Sequence, residues 1–466
     1  MVRRQWPATV IAFAFVTVAC ARNGTSAAAP TGTSPGDNAS SAASSSTTTT
    51  CASEPLRATE VGVTESKITI TVMADVGSPL SPGLFQGNLD AMNAYAKYVN
   101  ANGGVGCRQL EVRTWDSKLD PTESKNGLID ACHSSVAMVG GNALFNPDVA
   151  PMRGCVDKAG APTGLPDIAA LAADVNEQCA PSAFIIQAVP ERCQVLSGPR
   201  DLLVLLGAAK WYQKNFGPNL HGLFMVPADL PTLVQGATYQ IAGQTAIGVK
   251  WDATPKTSGR DEQAAYTPRI QIAKAVNANY VYVGGNDKSM WTMRKEARAQ
   301  GLTSVKVWAC SLACYTKAFL SVGGADVDGT YMLMQFLPFE EADLNTEAAA
   351  YVTGVGADKA DSFGAQAWQA GVLFKQVVDG IVAKAGPNAV TRKAILDGLA
   401  NTKDFTANGW MGAKDLKGYS PCFVIMQVRN GAFTRVHPIA KGTLDCTADN
   451  VMTVTMDPAE EAKSIR

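Results

Sequence analysis

Two separate series of alternating strand-like and helix-like segments constrain this chain more than any other feature. Lys67-Ile68-Thr69-Ile70-Thr71-Val72-Met73 is a β-branched run and predicts a first strand. Phe85 to Asn100 then carries Leu89, Met92, Tyr95, Ala96 and Val99 at helical spacing, and Asn102-Gly103-Gly104 stops it. Leu110 to Trp115 predicts a second strand, Pro121 to Ser134 a helix, and Val136 to Gly140 a third strand. The pattern restarts with a strand at His221 to Val226 and a helix at Leu233 to Ala246. It continues with strands at Val249 to Ala253, Tyr280 to Val283 and Val305 to Ala309, and helices at Tyr266 to Ala275 and Ser289 to Gln300. Two such series imply an α/β protein with two parallel sheets, each flanked by helices. A late helical stretch, Ala365 to Lys384, must pack on one of them, so the chain crosses between lobes more than once. Phe423 to Arg429 and Ala432 to Val436, joined by Asn430-Gly431, predict a hairpin with a type I′ turn.

The first 60 residues have a different texture. Arg3 and Arg4 precede a short apolar run, Val10 to Val18, which is too short to span a bilayer as a mature helix. This is the pattern of a secretory signal, expected over residues 1–19. The junction Thr17-Val18-Ala19-Cys20 resembles the lipobox of bacterial lipoproteins, which implies lipidation at Cys20 and an extracytoplasmic, membrane-tethered protein. Residues 21 to 50 are almost wholly Ala, Ser, Thr, Gly, Asn and Pro and cannot bury a core. Residues 20–60 therefore read as a lipid-anchored flexible stalk, of which residues 21–50 alone, fully extended, reach on the order of 100 Å at roughly 3.4 Å per residue.

Composition narrows the function. The 40 basic and 41 acidic side chains are interspersed, without the basic stripe a nucleic-acid partner requires. The chain has 11 cysteines. With Cys20 given to lipid, an even set remains: Cys51, Cys107, Cys132, Cys155, Cys179, Cys193, Cys310, Cys314, Cys422 and Cys446. In an exported chain that reads as disulfides rather than metal ligands, since the only histidines, His133, His221 and His437, are far apart in sequence. Spacing does not fix connectivity. The local pairs Cys107–Cys132, Cys310–Cys314 and Cys422–Cys446 are the easiest closures, and Cys155–Cys179 with Cys51–Cys193 would complete the set.

Catalytic and cofactor signatures are missing. There is no Gly-x-Ser-x-Gly elbow, no His-Glu-x-x-His, no P-loop and no dinucleotide glycine motif. Asp326-Val327-Asp328-Gly329 begins like a calcium loop, but Leu337 stands where the closing glutamate belongs, so a turn before a strand is expected. Cys310-Ser311-Leu312-Ala313-Cys314 lacks the Cys-x-x-Cys spacing of redox sites. Glu340-Glu341 reads as a solvated face. No enzyme activity, cofactor or metal is expected.

The order of motifs resembles leucine/isoleucine/valine-binding-protein-like receptors. Phe85-Gln86-Gly87-Asn88 opens the first helix and Asn100-Ala101-Asn102-Gly103-Gly104 closes it. Asp116-Ser117-Lys118-Leu119-Asp120-Pro121 and Val139-Gly140-Gly141-Asn142 follow. Then come Tyr266-Thr267-Pro268, Ala299-Gln300-Gly301-Leu302 and the run from Gly323 to Tyr331. The resemblance covers roughly Val61 to Cys446. It implies a type I periplasmic-binding-protein fold: two Rossmann-like lobes with parallel sheets, three crossovers, and a ligand cleft between the lobes. By analogy lobe one takes 61–189 and 335–403, lobe two 190–334 and 404–446, and 447–466 forms a C-terminal tail.

The resemblance also implies an ABC permease as membrane partner and a small-molecule ligand held by loops after the parallel strands. Those loops offer Gly77 and Ser78 after strand one, Asn142, Ala143, Leu144 and Phe145 after strand three, and Leu165, Pro166 and Asp167 after strand four. Lobe two offers Ala228, Asp229, Leu230, Pro231, Asn286 and Ser311. Phe363 and Gln366 open the late helix, with Trp368 just behind them. Amino-acid-binding relatives place hydroxyls after the third and fourth strands, and an acid in lobe two. The loops here lack all three, so the expectation is a less polar solute than a branched-chain amino acid. A sensory or scaffolding lipoprotein on the same fold is the alternative.

Overall fold

In the computed structural model, residues 51, 54–190, 193 and 198–457 are described. The signal segment, Cys20 and residues 21–50 of the expected stalk lie outside the described residues, while residues 54–60 are not stalk but pack on lobe one, with Glu60 buried and the Arg57 amide donating to Asn388. The first lobe opens with β1 (Lys67–Ala74), α1 (Gln86–Ala101), β2 (Gln109–Asp116), α2 (Pro121–Ser134) and β3 (Ala137–Val139). Next come β4 (Asn142–Ala143), β5 (Asp167–Ala169), β6 (Leu171–Ala172) and β7 (Ala183–Ile185). All pairings in this sheet are parallel, in the order β2-β1-β3-β5-β7. The short strands β4 and β6 continue β3 and β5 beyond a break. At the first break Gly140 has φ +77°, and a Cβ there would lie 2.8 Å from Met92, so glycine is required. Every residue of β1 after Lys67 is buried, as a parallel strand covered on both faces demands. Asp120 caps α2 through the amides of Thr122 and Glu123, with Pro121 in the first turn.

Lobe two contains β8 (Arg200–Leu205), α3 (Gly207–Phe216), β9 (His221–Pro227), α4 (Pro231–Ala246), β10 (Lys250–Ala253), β11 (Lys256–Thr257) and α5 (Gln263–Ala275). It continues with β12 (Tyr280–Val283), α6 (Asp287–Ala299), β13 (Val307–Cys310) and β14 (Thr330–Met334). The sheet order β10-β9-β12-β13-β14 is parallel throughout. The chain then returns to lobe one through α7 (Thr346–Val355), α8 (Ser362–Ala385) and α9 (Arg392–Asn401). Helix α8 packs along α1 and against β3 and β5. Last come β15 (Val424–Arg429), β16 (Ala432–His437) and β17 (Val451–Met456). Strands β15 and β16 extend the second sheet antiparallel, joined through Asn430 (φ 51°) and Gly431 (φ 72°). The two positive φ values suit the expected type I′ turn.

Three strands of chain cross between the lobes and lie side by side. The Ile185 amide donates to Leu416, the Val189 amide to Gly418, and the Leu337 amide to Trp410. Lys414 sits among them, buried, and donates to the carbonyls of Ile185 and Gln187 at 2.8 Å each. With no carboxylate against it, burial pulls its pKa down to about 7.

Several expectations are corrected here. Residues 451–456 are not part of a tail: they form β17, paired antiparallel with β8. Glu341 is not solvated: it is 2% exposed and holds Arg435 through two bonds, at 2.5 and 2.6 Å. The disulfides are Cys51–Cys107, Cys132–Cys155, Cys179–Cys193, Cys310–Cys314 and Cys422–Cys446. The expected pairs Cys107–Cys132, Cys155–Cys179 and Cys51–Cys193 do not form, because the fold brings each half to a different neighbour. Cys132 ends α2 beside Cys155, and the buried Arg392 guanidinium binds the Cys132 carbonyl and contacts the Cys155 sulfur there. Cys107, at the turn into β2, is reached by Cys51 instead.

Candidate functional site

The lobes touch across the cleft. Thr232 at the start of α4 donates to the Leu144 carbonyl of lobe one at 3.0 Å, and Ser362 of α8 donates to the Leu312 carbonyl of lobe two at 3.0 Å. Phe85, Leu144 and Phe363 of lobe one share an apolar cluster with Leu230 and Leu233 of lobe two. Beside these contacts lies a cavity of about 310 Å³. Leu144, Leu171 and Gln178 wall it from lobe one. In lobe two it continues beneath α4 to Tyr212, Gln244 and Tyr280. Such a volume stands at the lower end of the roughly 300–1,000 Å³ range of small-molecule sites.

The wall is aromatic and amide-rich. Tyr280 and Tyr282 lie two residues apart on β12, so both side chains leave one face of the sheet. The Tyr280 hydroxyl bonds Gln244 at 3.0 Å, and Tyr282 stacks on Phe224 with ring centroids 4.6 Å apart. Tyr239 of α4 and Tyr419 of the third crossover close other sides. Burial raises the pKa of each of these phenols, that of Tyr239 to about 12, so they remain neutral hydroxyls at any ordinary pH. Among the described residues, no side chain lining the cavity carries a formal charge. No group of acidic, histidine or cysteine side chains among them could hold a metal ion.

Of the residues expected from sequence, Leu144 and Ser311 lie on this wall. Gln366 lies on a smaller void of about 10 Å³ behind it, which shares Gln187 and Gln335 with the larger one. The others lie elsewhere. Gly77 donates its amide to Asp116, and buried Ser78 accepts from Leu80. Asn142 and Ala143 are buried in β4, and Phe145 packs in the interlobe cluster with Phe363. The Ala228 amide donates to Thr257, and Asp229 binds Ser258 and Gly259. Leu230 packs in the interlobe cluster and Pro231 begins α4. Asn286 caps α6 through Ser289, and Trp368 is core.

Leu165, Pro166 and Asp167 were displaced for a reason of register. They do not follow the fourth parallel strand; they lead into it, and Asp167 is its first residue. Leu165 is fully buried in lobe one, and the Asp167 carboxyl is buried beside that of Glu177, which raises its pKa by desolvation. The residues that do follow, Leu171, Ala172 and Ala173, reach the cavity. The aromatic wall was also missed, although the Tyr-Val-Tyr-Val alternation of β12 signals two phenols on one face of a buried sheet.

Two parallel sheets in the same order, three adjacent crossovers and a cavity where the lobes meet define a type I periplasmic-binding fold. The profile of the periplasmic binding protein family matches residues 67–432, and the chain belongs to that family, in its leucine/isoleucine/valine-binding-like form. Solved structures agree in fold. A leucine binding protein, LivK, of Thermotoga maritima has a TM-score of 0.60 at 13% identity, covering 84% of this chain and 99% of its own. The branched-chain amino acid transporter substrate binding protein LivJ of Streptococcus pneumoniae, solved with isoleucine, has a TM-score of 0.59 at 16% identity, covering 84% and 100%. An ABC transporter substrate binding protein of Aeropyrum pernix has a TM-score of 0.62 at 12% identity, covering 82% and 97%. No curated protein sequence matches the chain significantly.

Proposed function

We propose that this protein is an extracytoplasmic, lipid-anchored solute receptor that captures a small molecule between its lobes and delivers it to an ABC importer, without catalysis. The cavity carries this reading: it is walled by both lobes, so a ligand inside favours the closed arrangement by its differential contacts with the two states. Solved relatives named as transporter binding proteins support the delivery role. The Ala19-Cys20 junction supports the anchor, and no helix among the described residues is long and apolar enough to cross a membrane.

The wall, uncharged among the described residues, argues against a branched-chain amino acid. Burying an ammonium or carboxylate without a partner costs several kcal/mol. Calorimetric titration with leucine, isoleucine and valine should show no micromolar binding, and mass spectrometry of solute released from the purified protein should identify another compound. Micromolar affinity for any of the three would reject the ligand reading. Cys20→Ala should leave the precursor uncleaved or free the protein from membranes; normal processing with unchanged retention would reject the anchor.

A further inference from the structure

The cavity does not stop at the seam between the lobes. It runs on into lobe two, between the sheet face that carries Phe224, Tyr280 and Tyr282 and the helix α4 above it. This chamber has its own floor and roof. Gly236 lies in the roof, and a Cβ built there would meet no heavy atom nearer than Tyr239 at 3.9 Å. A helix glycine with open space before it leaves room that any other residue would begin to fill.

The chamber's chemistry is specific. Phenol rings offer flat faces for stacking at low conformational cost. Their hydroxyls and the amides of Gln240 and Gln244 both donate and accept hydrogen bonds, with no net charge. At the seam end, the Gln178 amide nitrogen is committed to the carbonyls of Ala172 and Ala173, at 2.9 and 3.3 Å. Its oxygen, and that of Gln187, have no partner among the described residues. An anion brought against these oxygens would meet acceptors rather than donors. The Gln235 amide, itself in the lining, faces the Arg200 guanidinium, which does not line the cavity.

Resting on the receptor reading above, we infer that the chamber in lobe two takes the body of the ligand, and that this ligand is an uncharged solute built on a flat ring with hydrogen-bonding substituents. A ring can slide between the tyrosine faces of β12 and α4, while its substituents exchange hydrogen bonds with the phenols and glutamine amides. Lobe one then covers the end left at the seam.

Benzamide and benzoate test this as a near-isosteric pair, differing in charge and in the presence of a donor. Saturation-transfer NMR and calorimetry on the folded, exported protein should find benzamide bound at least about ten-fold tighter than benzoate, with L-leucine failing to displace it. Gly236→Leu fills the chamber, and leucine is a far better helix former than glycine, so folding is spared. This variant should lose benzamide binding by about ten-fold or more while its thermal midpoint holds or rises. Benzoate binding as tightly as benzamide, no binding of either, or benzamide binding unaffected by Gly236→Leu in a folded variant would each overturn the inference. The receptor reading is judged separately by the solute released from the wild-type protein. A charged or acyclic solute found there sinks the chamber inference and leaves the receptor standing; no solute of any class counts against both.

Discussion

Two helix glycines, one against a packed sheet and one before a cavity, set two regions of this molecule apart. In lobe one, a Cβ on Gly127 of α2 would come within 2.7 Å of the Met73 sulfur and the Trp115 ring. In lobe two, a Cβ on Gly236 of α4 would meet nothing nearer than 3.9 Å. Both lobes lay helices over a parallel sheet in the same strand order. Lobe one uses its glycine at this point for closest approach. Lobe two makes an equally close approach at Gly243 of α4, where a Cβ would lie 2.8 Å from Val204, but at Gly236 of the same helix the missing side chain leaves the space before the tyrosines open. The difference teaches that the space is local to the stretch of α4 around Gly236 and not a property of the whole lobe.

The sharpest way to break that comparison is to overfill both sides. Gly371 of α8 lies at another tight contact of lobe one, where a Cβ would lie 2.6 Å from the Tyr95 ring. That ring is held edge-on to Trp368 with centroids 5.0 Å apart. Gly371→Leu should therefore cost about 3 kcal/mol through overpacking. Gly236→Leu should change stability by less than about 1 kcal/mol and in the favourable direction, through helix propensity. Urea denaturation of the two variants gives the contrast. Equal losses in both would show that lobe two is as tightly filled as lobe one.

The disulfides sharpen the comparison on a smaller scale. Cys132–Cys155 of lobe one spans 23 positions, and Cys310–Cys314 of lobe two spans 4. If constraint of the unfolded chain dominates, replacing both cysteines by alanine should cost about 3 kcal/mol in the first case and about 2 kcal/mol in the second. Denaturation midpoints of the two double variants, against the wild type, decide this. A larger loss from the Cys310/Cys314 variant would mean that the short loop beside Ser311 depends on its disulfide for native geometry, and loop length would not be the governing quantity.

Much of the fold was legible because its signals are local. The β-branched run from Ile68 to Val72, the Asp120-Pro121 start of α2 and the Asn430-Gly431 turn each specify their element by nearby residues. The site was less legible because it depends on register and distance. Asp167-Ile168-Ala169-Ala170-Leu171-Ala172-Ala173 has one β-branched residue among alanines, so where β5 begins is set by its neighbours β3 and β7 rather than by its own sequence. A misplacement of a few residues there moved the expected loop from Leu171–Ala173 back to Leu165–Asp167. Strand β8 was unreadable for a different reason: its partner β17 lies about 250 residues away, across the whole of the second sheet. Tyr212, Tyr239 and Tyr419 come from three elements that no spacing rule connects.

The smallest expected effect concerns the seam itself, where the two lobes meet. Ser362 is buried in the first turn of α8, does not line the cavity, and donates to the Leu312 carbonyl of the opposite lobe at 3.0 Å. Ser362→Ala removes that bond and nothing larger. The Leu312 carbonyl keeps a second donor, the Tyr315 amide at 3.0 Å, so no buried acceptor is stranded. The loss then belongs at the low end of the roughly 0.5–1.5 kcal/mol range of a net hydrogen bond. Because the bond spans the lobes, it acts on closure rather than on either lobe's folding. Affinity for the solute released from the wild-type protein should weaken about two- to three-fold, with the thermal midpoint of the ligand-free variant unchanged. A drop in that midpoint with affinity intact would instead place Ser362 among the groups that hold α8 in lobe one. The Leu312 contact would then be a consequence of closure and not a contributor to it.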